Sequence, residues 1–278
     1  MKQQKFLLEN YSSFNLRDIF ECGQCFRWNK EEDGSYTGVF ANNVINVSKT
    51  TKGIYFKGVC EKDIVNTVID YFDLDRDYNE IKRTLAKVDN NMKESIRYGE
   101  GIRILNQDLW ETIISFIISA NNNIPRIKGI IERLSKKYGK EIEYNNKKYY
   151  TFPTAEELKD VSVQEYRKLG LGFRDIRLYE TTKMILNKDV DISKLNEIKD
   201  TNQVRDELLK LSGVGPKVAD CILLFSTLKR FDVFPIDVWV RRVMNDLYIH
   251  KEDEKNVSKK EILKLVEYSK RLNVEVLS

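Results

Sequence analysis

The stretch that decides the fold is Leu211-Ser212-Gly213-Val214-Gly215-Pro216-Lys217-Val218-Ala219-Asp220-Cys221. A helical pattern that begins at Val204 ends in this Gly-x-Gly turn. A second apolar helix starts at once with Pro216, a residue favoured in the first turn of helices. The pattern predicts a helix-hairpin-helix over about residues 204–225. Such a unit presents backbone N–H groups and the positive end of a helix dipole to an anion such as a phosphate.

A lysine lies inside this predicted anion-binding unit. Lys217 stands in an otherwise apolar helix start, and Asp237 follows in Pro235-Ile236-Asp237, where it opens a further helix. An amine nucleophile beside a carboxylate is an arrangement for covalent catalysis. Asp237 is also a good helix N-cap residue, and the two roles are compatible.

Composition indicates a globular protein that works away from the membrane. The 278 residues are 41% hydrophobic and 32% charged, and the net charge of +4 is compatible with nucleic acid. The apolar run from Ile113 to Ala120 is too short to span a bilayer. The start, Met1-Lys2-Gln3-Gln4-Lys5, lacks the apolar core of a signal peptide. We expect a cytoplasmic monomer without membrane association.

The cysteine and histidine content argues against a built-in metal centre. The only histidine, His250, excludes histidine triads and multi-histidine metal sites. Cys22 and Cys25 have the spacing of half a zinc site or a redox pair, but no second close pair completes it. The C-terminal third lacks the four cysteines of an iron–sulfur centre. We therefore expect no metal and no cofactor.

Strand and helix patterns divide the chain into two parts. Turn signals separate four short β-type runs, which suggests an antiparallel meander over residues 25–28, 36–40, 44–47 and 54–56. From Lys62 onward, helical spacing dominates. We predict an α+β protein with an N-terminal antiparallel β domain at 1–100 and an α-helical domain at 101–278. Predicted loops lie near 90–102, 140–150 and 251–260.

Two polar turns in the helical part carry further candidate residues. The apolar helix from Trp110 to Ser119 opens into Asn121-Asn122-Asn123-Ile124-Pro125-Arg126, which is typical of a helix-to-helix turn capped by Asn123. The second turn, Leu169-Gly170-Leu171-Gly172-Phe173-Arg174, places an aromatic ring beside an arginine. In a DNA-binding protein, such a ring can fill the gap left by an unstacked base. The guanidinium can then bind a base edge or a phosphate.

Four segments, in this order and at this approximate spacing, resemble the 8-oxoguanine DNA glycosylases. They are Gly23–Trp28, Asn121–Arg126, Leu169–Arg174 and Gly213–Cys221, and the resemblance extends to about Tyr248. It implies a bifunctional DNA glycosylase/AP lyase that acts on double-stranded DNA. It further implies excision of 8-oxoguanine, preferably opposite cytosine, through a lysine Schiff base and β-elimination.

The resemblance also implies roles for individual residues. Lys217 would be the nucleophile, and Asp237 would assist it. The Gly23 carbonyl would accept from the N7–H of the oxidised base, in a pocket that Cys221 and Phe225 help to line. Residues that would read the orphaned cytosine are Asn121, Arg126 and Arg174, with Phe173 as the wedge. Further DNA contacts would come from Gly213, Gly215, Val218 and Trp239.

The chain departs from the family pattern in two places. Trp239 stands where many relatives have a histidine that touches the DNA backbone. Family members usually end in a helix with an aromatic that stacks on the extruded base and a glutamine that binds its Watson–Crick edge. We identify no counterpart of that pair between Glu252 and Ser278, although a charged helix is predicted there from Lys259 to Arg271.

Three other functions stay open at this point. A helix-hairpin-helix glycosylase for oxidised pyrimidines or mispaired adenine is the nearest, but the missing iron–sulfur cysteines and the Asn121–Asn123 run count against it. A non-catalytic DNA-binding module would need neither Lys217 nor Asp237. A helix-rich protein-interaction scaffold would leave the hairpin lysine unexplained.

Overall fold

A computed structural model describes residues 1–9 and 11–272 and shows the predicted α+β architecture. The N-terminal part is built on a five-stranded antiparallel sheet with strand order β1-β5-β4-β3-β2. Its strands are β1 (Lys2–Glu9), β2 (Trp28–Lys30), β3 (Tyr36–Phe40), β4 (Asn43–Thr50) and β5 (Gly53–Cys60). The predicted meander is therefore present as β2 to β5, and β1 is an addition to it.

Strand β1 is absent from the sequence prediction. It pairs with β5 along its whole length, from Lys2 opposite Cys60 to Glu9 opposite Gly53. Polar residues occupy most of its first half, so the alternation expected of a half-buried strand is weak. Only Phe6 and Leu8 are packed against the hydrophobic core of the N-terminal part. The strand is defined by its pairing partner rather than by its own pattern.

The prediction of a strand over residues 25–28 is wrong for most of that segment. The chain turns at Gly23, whose φ is +86°, and regular pairing begins only at Trp28. Cys25 belongs to the N-terminal core, whereas Phe26 belongs to the core of the helical part. The two neighbouring side chains thus belong to the cores of the two parts, and this segment joins them.

Four helices complete the N-terminal part: α1 (Leu16–Phe20), α2 (Ile64–Tyr71), α3 (Tyr78–Leu85) and α4 (Asn90–Tyr98). The prediction of a loop at 90–102 is wrong for residues 90–98, which form helix α4. It buries none of its residues, so no apolar stripe marks it in the sequence. Its start is fixed by Asp89, whose carboxylate accepts a hydrogen bond of 2.7 Å from the backbone N–H of Met92.

The helical part packs around α5 (Leu109–Ser119), an apolar helix that is buried along most of its length. The other helices are α6 (Ile124–Tyr138), α7 (Val163–Lys168), α8 (Asp175–Leu186), α9 (Thr201–Leu209), α10 (Pro216–Phe225), α11 (Val238–Met244) and α12 (Lys259–Leu272). Within the described residues, no helix is both long and apolar enough to cross a membrane. The last six residues of the C-terminal segment predicted from Leu272 to Ser278 lie outside the described residues.

A β-hairpin replaces the loop predicted at 140–150. Strands β6 (Glu141–Tyr144) and β7 (Lys147–Tyr150) pair antiparallel. They are joined by Asn145 and Asn146, both with positive φ, as a two-residue type I′ hairpin turn requires. Ile142 and Tyr144 are buried against Val39, Val44 and Val59 of the N-terminal sheet. The alternation of charged and apolar residues over Glu141–Tyr144 and the Asn-Asn pair are the sequence signals that could have identified this hairpin.

Candidate active site and DNA interface

The helix-hairpin-helix consists of α9, a tight turn and α10. Gly213 takes a φ of +84°, which favours glycine, and Val214 closes the turn by donating 3.1 Å to the carbonyl of Leu211. Gly215 is the N-cap of α10 and has no side chain to occupy the first N–H groups of that helix. The side chain of Val218 is buried, so a contact of Val218 with DNA can use only its backbone N–H.

Lys217 lies in the first turn of α10 and reaches over an aromatic ring. Its Nζ is 5.6 Å from the centroid of Phe116 on α5. Cys221, one turn further along α10, is 2% exposed. Burial raises the pKa of the Cys221 thiol to about 11, and the charge and side-chain hydrogen bond of Lys217 oppose that shift. The amine and the thiol are therefore direct neighbours, and the thiol is neutral near pH 7.

Asp237 is fixed as the N-cap of α11. Its Oδ1 accepts a hydrogen bond of 2.9 Å from the backbone N–H of Val240. The negative charge of Asp237 acts on the Cys221 thiol and raises its pKa, whereas the charge of Lys217 lowers it. Both charges thus lie within electrostatic reach of one buried atom. The fold brings Lys217, Cys221 and Asp237 together, from two separate helices.

Phe116 is a site residue that the sequence prediction missed. It is 3% exposed and stacks on Phe225, with ring centroids 5.8 Å apart. It also meets Phe26 edge-on at 5.7 Å. Phe116 therefore links Lys217, Phe225 and the segment that follows Gly23. Its position within a continuous apolar run gave no signal that separates it from ordinary core residues.

The Gly23 loop is held in place by the buried amide of Gln24. This side chain donates to the carbonyls of Ile19 (2.9 Å) and Arg103 (2.8 Å), and it accepts from the N–H of Leu105 (3.0 Å). A side chain added at Gly23 would meet nothing within 4 Å, so its positive φ is the constraint that favours glycine there. The loop is rigidly anchored on one side while its tip stays open.

Gln107 connects this loop to the helix that carries the lysine. Its side-chain amide donates to the carbonyl of Gln24 (2.7 Å) and to the carbonyl of Phe225 (3.1 Å) at the end of α10. Because Gly23 directly precedes Gln24, it lies near Phe225 at the end of α10. Neither glutamine belongs to the predicted site, because most of their partners lie far away in the sequence.

The predicted wedge protrudes from the turn before α8. The side chain of Phe173 is 53% exposed. Two guanidinium groups approach its ring, with Cζ of Arg174 at 4.2 Å and Cζ of Arg177 at 5.2 Å from the centroid. Arg126 is exposed nearby and donates 3.2 Å to the carbonyl of Gly170. Asn121 is exposed in a left-handed conformation, with φ of +51°.

Arg174, the third predicted cytosine reader, is directed inward in the protein without DNA. It is 1% exposed, and its guanidinium donates to the carbonyls of Ala120 (2.5 and 2.9 Å), Asn121 (2.8 Å) and Leu171 (3.2 Å). These carbonyls occupy its donors and draw the side chain inward. In this conformation Arg174 supports the turn that presents Asn121, and it leaves Asn121 and Arg126 facing the solvent.

Trp239 lies on the exposed side of α11, two residues after Asp237. It is 69% exposed, and Cζ of Arg242 lies 5.0 Å from its ring centroid. Its neighbour Val238 is also exposed. Large apolar side chains that stay exposed beside a catalytic candidate indicate a surface that another molecule covers. This surface is continuous in sequence with the Asp237 cap.

Among the described residues, no group of three or more His, Cys, Asp or Glu side chains is arranged to hold a metal ion. Cys22 and Cys25 are both free thiols. Cys25 is buried, and burial raises its pKa well above the ordinary value. That environment opposes thiolate formation, which metal binding and thiol exchange both require.

The chain matches two families that together cover most of its length. Residues 6–113 match the 8-oxoguanine DNA glycosylase N-terminal domain, and residues 114–268 match the HhH-GPD superfamily of base excision DNA repair proteins. A probable N-glycosylase/DNA lyase of Methanothermobacter thermautotrophicus is 34% identical over 197 residues, which are 64% of this chain and 62% of that protein. The N-glycosylase/DNA lyase OGG1 of Arabidopsis thaliana is 28% identical over 242 residues, which are 84% and 66% of the two chains.

Solved structures resemble almost the whole chain. MBOgg1, in complex with a low-affinity DNA ligand, has a TM-score of 0.90 and 42% identity, covering 98% of this chain and 94% of its own. The apo-form of Clostridium acetobutylicum 8-oxoguanine glycosylase/lyase has a TM-score of 0.88 and 40% identity, covering 99% and 94%. By contrast, the match spans less than two thirds of the Methanothermobacter relative. The chain belongs to the 8-oxoguanine DNA glycosylase family, within the HhH-GPD superfamily of base excision DNA repair proteins.

Proposed function

We propose that this protein excises 8-oxoguanine from double-stranded DNA and then cuts the strand at the resulting abasic site. The observation that carries this proposal is the position of Lys217. It lies in the first turn of α10, over the Phe116 ring, beside Cys221 and in the same small region as Asp237. An amine placed at a phosphate-binding hairpin can reach the sugar of a nucleotide whose backbone the hairpin holds.

The chemistry requires one nucleophile and one fixed carboxylate. The neutral amine of Lys217 attacks C1′, and the bond from C1′ to the base breaks with its electron pair leaving on the base. Loss of the amine proton and opening of the sugar give a Schiff base. This group stabilises the negative charge that forms when a proton leaves C2′, and the 3′ phosphate is then expelled. Asp237, held by its cap, stabilises the positive charge on the sugar during base departure.

Recognition of the oxidised base is assigned to the Gly23 carbonyl. 8-Oxoguanine has a hydrogen on N7 where guanine has a lone pair. A carbonyl aimed at N7 is therefore attracted to the first base and repelled by the second. The anchoring of this loop by Gln24 and Gln107 supports the assignment, because discrimination of this kind needs a fixed acceptor. Cys221 and Phe225 line the same pocket.

Contacts with the duplex from which the damaged base has been extruded are assigned to the exposed wedge region. Phe173 fills the gap that base extrusion opens, and this offsets part of the cost of unstacking. Asn121 and Arg126 contact the orphaned cytosine, with Arg174 holding the turn behind them. Gly213, Gly215, the N–H of Val218 and Trp239 contact the backbone. We further propose that one copy acts on each lesion, because a single chain supplies every one of these groups.

Borohydride trapping tests the covalent step. Duplexes that carry 8-oxoguanine opposite each of the four bases are incubated with the protein and the reductant. Lys217→Gln is expected to abolish trapping while lesion-duplex affinity stays within about tenfold, since phosphate and orphan-base contacts dominate binding. Asp237→Asn is expected to slow base removal by about 100- to 10,000-fold. Continued trapping by the Lys217 variant would identify another amine as the nucleophile.

A further inference from the structure

Arg177, on the first turn of α8, contacts two parts of the DNA interface at once. A Cβ atom placed on Gly213 would lie 2.8 Å from Cδ and 3.2 Å from Cβ of Arg177, so the aliphatic stem of the arginine lies directly on the hairpin glycine. The other end of the side chain lies 5.2 Å from the centroid of the Phe173 ring. One half-buried side chain therefore spans the distance from the hairpin to the wedge.

The acidic residues of α8 form no ion pair with this guanidinium. Asp175 pairs with Arg167 at 2.7 Å, and Glu180 accepts a hydrogen bond of 2.5 Å from the hydroxyl of Ser212. Among the side chains that the structure describes, and the backbone of residues 1–9 and 11–272, no hydrogen bond or ion pair connects the guanidinium of Arg177 to an acceptor. Its donors are therefore available to a ligand, in contrast to those of Arg174, which the backbone carbonyls occupy.

Positive charge is concentrated around this side chain. Burial lowers the pKa of Arg174, and the neighbouring charges of Arg126 and Arg177 lower it further. The charges of Arg126 and Arg177 both act on Arg174 and disfavour its charged form in the free protein. An anion bound among them would remove that repulsion, and on a DNA-binding surface that anion is a backbone phosphate.

We propose that Arg177 binds a DNA backbone phosphate between the hairpin and the wedge, and that its guanidinium also holds the Phe173 ring in position for insertion. The proposal rests on the proposed function, since it needs a bound duplex and an inserted wedge. The stem of Arg177 packs on Gly213 and limits the movement of the guanidinium. Phosphate contact and wedge orientation are thereby linked through one side chain.

The test measures binding of a duplex that carries a tetrahydrofuran abasic analogue opposite cytosine. This duplex has neither a base to excise nor a sugar that forms a Schiff base, so the result is independent of the Lys217 chemistry. Arg177→Gln keeps most of the stem over Gly213 and removes the charge. We expect its affinity to fall about tenfold and the slope of log K against log salt to become shallower by about one.

Arg177→Lys separates the two roles. The lysine retains the positive charge, so the salt slope is expected to stay close to that of the wild type. The coupling between Arg177 and the Phe173 ring is measured by a double-mutant cycle that combines changes at Arg177 with Phe173→Ala. Insertion of the ring is followed by the fluorescence of 2-aminopurine placed opposite the gap. An exposed cation–π contact predicts a coupling of about two- to fivefold for arginine, because such contacts contribute about 0.5–1 kcal/mol.

Lys183→Ala is the matched control. Lys183 is another half-buried cation on α8 that lies over an aromatic ring, 5.6 Å from the centroid of Tyr179. We expect its salt slope and affinity to stay at wild-type values. If Arg177→Gln behaves like this control, Arg177 only packs on the hairpin and the proposal is wrong. If the wild-type protein is not trapped on 8-oxoguanine duplexes, the proposed function is contradicted. The affinities for the tetrahydrofuran duplex would still decide the role of Arg177.

Discussion

The sharpest consequence of this structure concerns Gln107, which connects the Gly23 loop to the end of α10. Its amide donates to the carbonyls of Gln24 at 2.7 Å and Phe225 at 3.1 Å. Gln107→Ala removes both side-chain hydrogen bonds, although the Phe225 carbonyl still accepts from the backbone N–H of residue 107 at 3.3 Å. The Gly23 acceptor then loses one of its anchors, whereas the caps and contacts of Lys217 and Asp237 are untouched.

The size of the effect follows from the two hydrogen bonds. Each contributes about 1 kcal/mol net, so their loss corresponds to about 2 kcal/mol. If base recognition depends on the loop, that free energy appears in the excision step as a decrease of about 30-fold in rate. Strand cleavage at a preformed abasic site needs no base, and we expect its rate to stay within about threefold of the wild type.

Single-turnover assays on 8-oxoguanine opposite cytosine and on a preformed abasic site give the two rates separately. Gln107→Glu is the companion variant: a carboxylate would face two carbonyl oxygens, so its excision defect should be at least as large near pH 7 and should decrease when the carboxyl is protonated. Asn106→Ala is the control, because it loses a 2.8 Å hydrogen bond to Asp70 and no contact with the Gly23 loop. Parallel loss of both rates in Gln107→Ala would refute the reasoning, as would no loss in either.

Three further outcomes are expected. Arg126→Ala should cost about 1–3 kcal/mol in excision opposite cytosine and flatten the preference among the four opposite bases; an equal loss against all four would mark Arg126 as a phosphate contact. Phe116→Leu should slow both excision and lyase steps, measured in the same single-turnover assays, because it changes the surface under Lys217; a selective effect on excision would place Phe116 only in the base pocket. Burial raises the pKa of Glu111 from 4.5 to about 7, against the opposing charge of Arg27, so the folded state binds the extra proton and the free energy of unfolding falls as pH rises through that window. Glu111→Gln should remove this pH dependence. Urea unfolding at several pH values should show its free energy of unfolding higher than that of the wild type by up to about 3 kcal/mol above pH 7 and unchanged below pH 4.5.

Local sequence was sufficient for the elements whose stabilising contacts lie within a few residues. Gly213 supplies the positive φ of the hairpin, Pro216 starts α10, and Asp237 caps α11 through a residue three positions away. Asn123 caps α6 in the same way, by accepting from the N–H of Arg126. Each of these features depends on the intrinsic geometry of its own segment, and the spacing of residues along the chain reports that geometry directly.

The failures occurred where a segment is stabilised by distant partners. Strand β1 is defined by its pairing with β5, and helix α4 has no buried stripe that would reveal it. The hairpin β6–β7 carried a readable Asn145-Asn146 turn, but its apolar residues pack against a sheet from the other part of the molecule. Secondary structure that depends on tertiary contacts leaves only a weak pattern in its own residues.

The residues of the candidate site show the same difference between local and distant contacts. The sequence by itself singled out Lys217, Asp237 and Phe173 as candidates for nucleophile, carboxylate and wedge, because reactive and exposed residue types are unusual in their local surroundings at these positions. Only the tertiary structure decided that Gln107 anchors the Gly23 loop and that Arg174 is directed inward onto backbone carbonyls. It also placed Arg177 between hairpin and wedge. These roles arise from contacts between segments far apart in the chain, and such contacts exist only once the two cores have packed.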